Sequence, residues 1–100
     1  MKLYARQGDL IIEKLTQVDG DFTKATNLVF AGDSSQHRHR LLGTVLMQRV
    51  GRAIRVQVAE SLELVHETPG GHKTVLFVPG AYEVRPQRER GDQGDRAVED

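Results

Sequence analysis

In "AIRVQVAE", residues 53–60, apolar and polar side chains alternate one for one. On an extended chain Ile54, Val56 and Val58 share one side, and Arg55 and Gln57 the other. This period of two fits a half-buried strand and would scatter the apolar groups around a helix. Six further short apolar runs have the same character: "DLIIEKL" (9–15), "NLVFAGD" (27–33), "LLGTVLMQRV" (41–50), "LELVHE" (62–67), "HKTVLFV" (72–78) and "GAYEVRPQRE" (80–89). Turn-prone residues punctuate them: Gln7-Gly8, Gly32-Asp33, Pro69-Gly70-Gly71 and Pro79-Gly80. About seven short strands with breaks every roughly 8–12 residues predict an all-β protein, a small single-domain antiparallel barrel or sandwich. Gly43 lies inside the longest run, where glycine marks a bulge or a close approach. Leu42, Val45, Leu46 and Arg49 also fit helical spacing, but Gly43, Thr44 and Val45 are poor helix formers. Residues 16–26 read as a loop or hairpin.

One hundred residues support one domain. The β-domain is expected over 1–89, followed by a polar, partly mobile tail over 90–100. Lys and Arg total 14, as do Asp and Glu, so net charge points to no particular partner. The distribution is less even. From Ser34 to Ala59 there is no acidic residue, whereas Arg38, Arg40, Arg49, Arg52 and Arg55 all fall there, and local charge sets the local field. The absence of cysteine excludes disulfides and thiolate ligands. No segment approaches the roughly 20 apolar residues of a membrane span, and the N-terminal stretch lacks a signal-peptide core, so a cytoplasmic protein with no membrane partner is expected.

Candidate chemistry centres on four histidines. If residues 37–41 are extended, His37, His39 and Leu41 share one face, and Arg38, Arg40 and Leu42 the other. His66 shares a face with Leu62 and Leu64. His72 opens the next run, so a hairpin around "TPGG" would set His66 and His72 near its tip. A barrel that gathers the four rings at one end would supply imidazoles able to act as general acid and base near neutral pH. Arginine adds bidentate contacts to phosphate. The preferred reading is therefore a phosphodiester-directed protein that binds RNA or a nucleotide, with cleavage by histidines without a metal as its catalytic extension. His37, His39, His66 and His72 are the proton-transfer candidates. Arg38, Arg40, Lys73, Arg85 and Arg88 are the phosphate-holding candidates, with Tyr82 and Glu89 in support. This reading assigns no metal and no cofactor.

Two alternatives stand beside it. "GDSSQHRHR" resembles the His-x-His of cupin metal sites, and "VPGAY" their later Pro-x-Gly turn, which implies a metal on the histidine cluster with Glu67 or Glu89 as oxygen donor. The glutamate that follows His-x-His in cupins is replaced here by apolar residues, and the interleaved arginines oppose a cation. The other alternative is a non-catalytic interaction or regulatory module that associates through edge strands, with a homodimer or another protein.

"RQGDLII", "HRHRL", "LVHE" with a later histidine, and "VPGAYEVRPQRE" together resemble a pattern of small bacterial all-β proteins of unassigned function, over residues 6 to 90. The resemblance implies that His37, His39, Arg40, His66, His72, Gly80, Tyr82, Gln87, Arg88 and Glu89 belong to a shared pattern. It implies no particular reaction. The later histidines stand closer together in that pattern than His66 and His72 do here.

Overall fold

The computed structural model describes residues 2–31, 38–67, 73–91 and 94–97, with backbone alone at 31, 88–91 and 94–97. Every regular element among them is a strand: β1 (Lys2–Gln7), β2 (Leu10–Leu15), β3 (Thr23–Ala31), β4 (Arg38–Val50), β5 (Ala53–Val58), β6 (Leu62–His66), β7 (Val75–Phe77), β8 (Gly80–Pro86), β9 (Arg88–Gly91) and β10 (Gly94–Ala97). The first eight form one sheet in the order β1-β2-β8-β5-β4-β6-β7, with β3 paired to β4 off this path. All of its ladders are antiparallel. The sheet curls into a nearly closed barrel, as the alternation predicts.

The long strand β4 makes the curl possible. Its first part pairs with β6 through His39–Leu42, and its last part with β5 through Leu46–Val50, while β3 follows it from Arg38 to Met47. β5 and β6 therefore lie end to end along one side of β4, which turns a corner between them. The corner is Gly43, at φ +118°. There the β3–β4 register slips, so that Leu42 and Gly43 together oppose Asn27, itself at φ +53°. The Asn27 Oδ1 accepts the Gly43 amide at 2.9 Å. A Cβ on Gly43 would stand 2.5 Å from Leu62 Cδ2. This one glycine thus serves both as a bulge and as a close approach.

Between β1 and β7, the two ends of the path, no ladder forms among the described residues. Side chains span this seam instead. A bulge in β1 between Leu3 and Ala5 resets the inward parity. Tyr4 and Gln7, three positions apart, then both reach across. The Tyr4 hydroxyl donates to the Leu76 carbonyl at 2.6 Å, and Gln7 Nε2 to the Lys73 carbonyl at 2.8 Å. Tyr4, Phe77 and Tyr82 pack ring on ring behind the seam.

The inward faces of the strands supply Leu10, Ile12, Phe30, Leu41, Val45, Val56, Leu64, Phe77, Tyr82 and Val84 to one core. Burying each such side chain contributes about 1.5–3 kcal/mol before ordering costs. Strand extends beyond the expected runs at three places: β1, the first half of β3 within the stretch read as a loop or hairpin, and the β9–β10 pair, which starts at Arg88 and continues into the expected polar tail. β1 and β3 read as polar because each has a ladder on one side only. With so little of them enclosed, their sequences can carry charge and threonine.

Candidate functional site

The site begins with "RQGD", residues 6–9. Gln7 and Leu10 pair across a two-residue turn, and Gly8 takes φ +56° at its first position. A hairpin turn with positive φ at that position favours glycine. The tight turn directs Gln7 and Asp9 inward, where 1% and 8% of their surfaces remain exposed. Its far side is tied to the end of β8. The Gln87 amide donates to the Asp9 carbonyl at 2.7 Å, and Arg6 donates to Gln87 Oε1 at 2.9 Å.

Between Gln7 and Asp9 lies His39, fully buried on the inward face of β4. Its Nδ1 is 2.9 Å from Gln7 Oε1 and its Nε2 is 3.2 Å from Asp9 Oδ1. The Gln7 amide has no freedom to turn over. Its nitrogen donates to the Leu64 and Lys73 carbonyls, each at 2.8 Å, and an oxygen there would face two other oxygens. Gln7 Oε1 therefore faces His39, and Nδ1 must carry a proton. The remaining contact, Nε2 to Asp9, holds one shared proton, as imidazolium against carboxylate or as imidazole against carboxylic acid.

His66 completes the cluster. It pairs with His39 across the β4–β6 ladder. The two rings stack with centroids 4.4 Å apart and planes 11° from parallel. His39 is sealed, whereas His66 is only partly buried. His39 thus lies between Asp9, on the turn at the barrel end, and His66, across the β4–β6 ladder, and the Nε2 of His66 is buried as well. A metal bound through His39 would have to displace Gln7 or Asp9. Among the described residues no group of three or more His, Cys, Asp or Glu is placed to hold a metal ion.

The other predicted residues are more dispersed. His37 and His72 lie outside the described residues, as do the side chains of Arg88 and Glu89. Arg38 is exposed, and Arg40 projects from the opposite face of β4 to His39, donating to Glu67 Oε1 at 3.1 Å. Lys73 is exposed, and its carbonyl rather than its ammonium meets the cluster through Gln7. Arg85 is engaged on the outer sheet face by Glu13, and lies 3.6 Å from Glu83, which also accepts from Arg55 at 3.0 Å. Tyr82 is a core residue. It registers with Lys14 and Val56, four positions along β8 from Pro86, the partner of Leu10. That offset is about 13 Å of strand. Burial, reinforced by the neighbouring Tyr4 hydroxyl, pushes the Tyr82 phenol up to about 12. Its hydroxyl donates to the Val78 carbonyl at 2.5 Å.

Sequence reading missed Gln7 and Asp9 as site residues, because beside Gly8 they read as ordinary turn chemistry. Both lie at the start of the span that matches a family model, a domain of unknown function (DUF8820), over residues 6–87. The chain belongs to the DUF8820 family. No curated protein and no solved structure matches it. The DUF8820 span opens on Arg6 and closes on Gln87, two side chains hydrogen-bonded to each other, and it encloses Gln7, Asp9, His39 and His66.

Proposed function

We propose that this protein binds the phosphodiester of RNA or of a nucleotide at the barrel rim beside His66 and cleaves it by histidine acid–base chemistry that needs no metal. The observation that carries the reading is the His39–His66 stack backed by Asp9. Two imidazoles 4.4 Å apart resist carrying charge together. A neutral imidazole is the form a general base needs. In the proposed reaction His66 takes the proton of the ribose 2′-hydroxyl, and that oxygen attacks phosphorus. The bond from phosphorus to the 5′-oxygen breaks, and the departing oxygen takes a proton from water. The products are a 2′,3′-cyclic phosphate and a 5′-hydroxyl end. A cytoplasmic place of action suits such a ligand. Among the described residues no helix is long and apolar enough to cross a membrane.

Incubation of labelled RNA with the protein in excess chelator tests the proposal. Cleavage is expected in the wild type and absent in His66→Ala, with the cyclic phosphate detectable on the product. Absence of both binding and cleavage in the folded wild type overturns it. A second reading, a protein-interaction module, draws on one observation. β3 has a neighbour on one side only, and Val29, Leu42, Leu46 and Val50 are exposed on the outer face of the β3–β4 ribbon. A stable homodimer or partner complex in solution, without RNA binding, is the result that favours it.

A further inference from the structure

The barrel end that holds Asp9 and His39 also contains a cavity of about 210 Å³. Three arginines line it, Arg49, Arg52 and Arg85, over an apolar floor that includes Leu10 and Phe30. Its position follows from the ladders. Leu10 comes directly after Asp9 in the chain, and Phe30 is the cross-strand partner of His39. Arg49 lies just before, and Arg52 within, the tight turn between β4 and β5, where Val50 pairs with Ala53 and Gly51 takes φ +61°. Arg49 is opposite Ile54, and Ile54 is opposite Val84, next to Arg85. The curl of the sheet therefore brings Arg49 and Arg52 to the opening, while Arg85 contributes to the wall with its guanidinium held by Glu13 and Glu83 on the outer face.

The three differ in how they are occupied. Arg85 is fixed by Glu13 and Glu83, which offset its charge. Arg49 and Arg52 are exposed and form no ion pair among the described residues. Asp9, which directly precedes the lining residue Leu10, is turned toward His39. Two unmatched guanidinium groups beside a partly apolar hollow are suited to a bidentate anion. The volume is below the roughly 300–1,000 Å³ of pockets that enclose a whole small molecule, so the hollow suits one group of a larger ligand.

We infer that this cavity is the phosphate-holding half of the site, with Arg49 and Arg52 gripping a single phosphoryl group of a nucleotide and Arg85 forming its braced wall. This rests on the phosphodiester reading for the class of ligand and moves the phosphate contacts away from Arg38 and Arg40.

Titration of the full chain with inorganic phosphate and with a nucleoside 5′-monophosphate, at low ionic strength and followed by amide shifts and calorimetry, tests the inference. Saturable binding is expected, tighter for the monophosphate, with shifts at Arg49, Arg52 and Phe30. Arg49→Ala and Arg52→Ala should each weaken it by about tenfold or more, as loss of a charge-assisted hydrogen bond predicts. Arg52→Lys should also weaken it, since the fork is lost while the charge stays. Both positions are exposed, and amide spectra verify that the variants fold. Unchanged affinity in the Arg49→Ala/Arg52→Ala double variant, while RNA still binds through His66, overturns this inference and leaves the phosphodiester reading standing. Absence of binding to phosphate, nucleotide and RNA alike overturns both.

Discussion

Two polar groupings in this barrel use similar residues in different surroundings. Inside, Gln7, Asp9, His39 and His66 lie between the strands. Outside, Glu13, Arg55, Glu83 and Arg85 form a cross-strand ladder on β2, β5 and β8. The outer ladder keeps contact with water: the Arg55 and Arg85 side chains remain 26% and 35% exposed. In the inner group His39 has no exposure, and each polar atom depends on the next. Gln7 is fixed by two carbonyls, His39 by Gln7, and the His39–Asp9 proton by both. Water can replace a lost partner on the sheet exterior. In the interior a lost partner leaves a desolvated group behind. The inner grouping is therefore expected to be an all-or-none unit, and the outer one a sum of small, separable contributions.

Asp9→Ala should give the largest effect, about 3–5 kcal/mol of stability, because it strips a buried ring nitrogen of its partner. Urea unfolding monitored at neutral pH measures it. A loss under about 1 kcal/mol would place the inner cluster in the same class as the outer ladder. Gln7→Leu should approach the same magnitude, because it frees two carbonyls as well as His39 Nδ1 and removes one of the side chains spanning the β1–β7 seam. The double variant should cost less than the sum of the two, the signature of a shared network.

Tyr82 extends the contrast to an interior group that titrates. Its ordinary value of 10.0 is raised to about 12 in the folded protein. A raised folded-state value means that the neutral phenol is favoured by folding. Its contribution is complete below about pH 10 and is lost as pH rises toward 12. Stability measured from pH 9 to 12 should fall over this window, and Tyr82→Phe should flatten that part of the decline. At neutral pH the same substitution removes only the hydrogen bond to the Val78 carbonyl, for a cost of about 1 kcal/mol. An alkaline decline identical in the two proteins would assign the loss to other groups.

The same contrast explains what was legible in the sequence. Fold class was readable because half-buried strands write their environment in alternation: Ile54, Val56 and Val58 face in, and Arg55 and Gln57 face out. Gly43 was readable as a corner because glycine inside an apolar run has few other uses. His39 and His66 were readable as neighbours in kind, since each shares a face with buried leucines. Their direct pairing was not, because register between β4 and β6 is a tertiary fact. Gln7 and Asp9 lie within "RQGDLII" yet were not singled out, because a turn and a buried cluster ask for the same residue types. Arg49 and Arg52 stood out only as part of an acid-free stretch, and only the curl of the sheet brings them to the cavity beside Leu10 and Phe30.

On the exterior, Glu83→Gln should cost about 0.5–1 kcal/mol. It keeps an oxygen for the Arg55 hydrogen bond but removes the charge that also faces Arg85. The effect should shrink as salt is added, since these side chains retain solvent contact. A salt-independent loss would mean that the ladder behaves as an interior network.

The smallest effect is expected at Arg40. Its guanidinium donates to Glu67 with the two side chains 36% and 38% exposed, so the pair gains little over the same groups in water. Arg40→Ala should change stability by less than about 0.5 kcal/mol, and Glu67→Ala should do the same. Because Arg40 projects away from the face that holds His39, the substitution should also leave phosphate and RNA binding within about twofold of wild type. Arg52→Ala, at a more exposed position and equally modest in stability, should weaken binding by about tenfold. Two surface arginines with the same cost to the fold and different effects on the ligand would show that the barrel's charge is divided by face. Equal effects on the ligand would mean that the anion meets a diffuse positive field rather than the cavity beside Phe30.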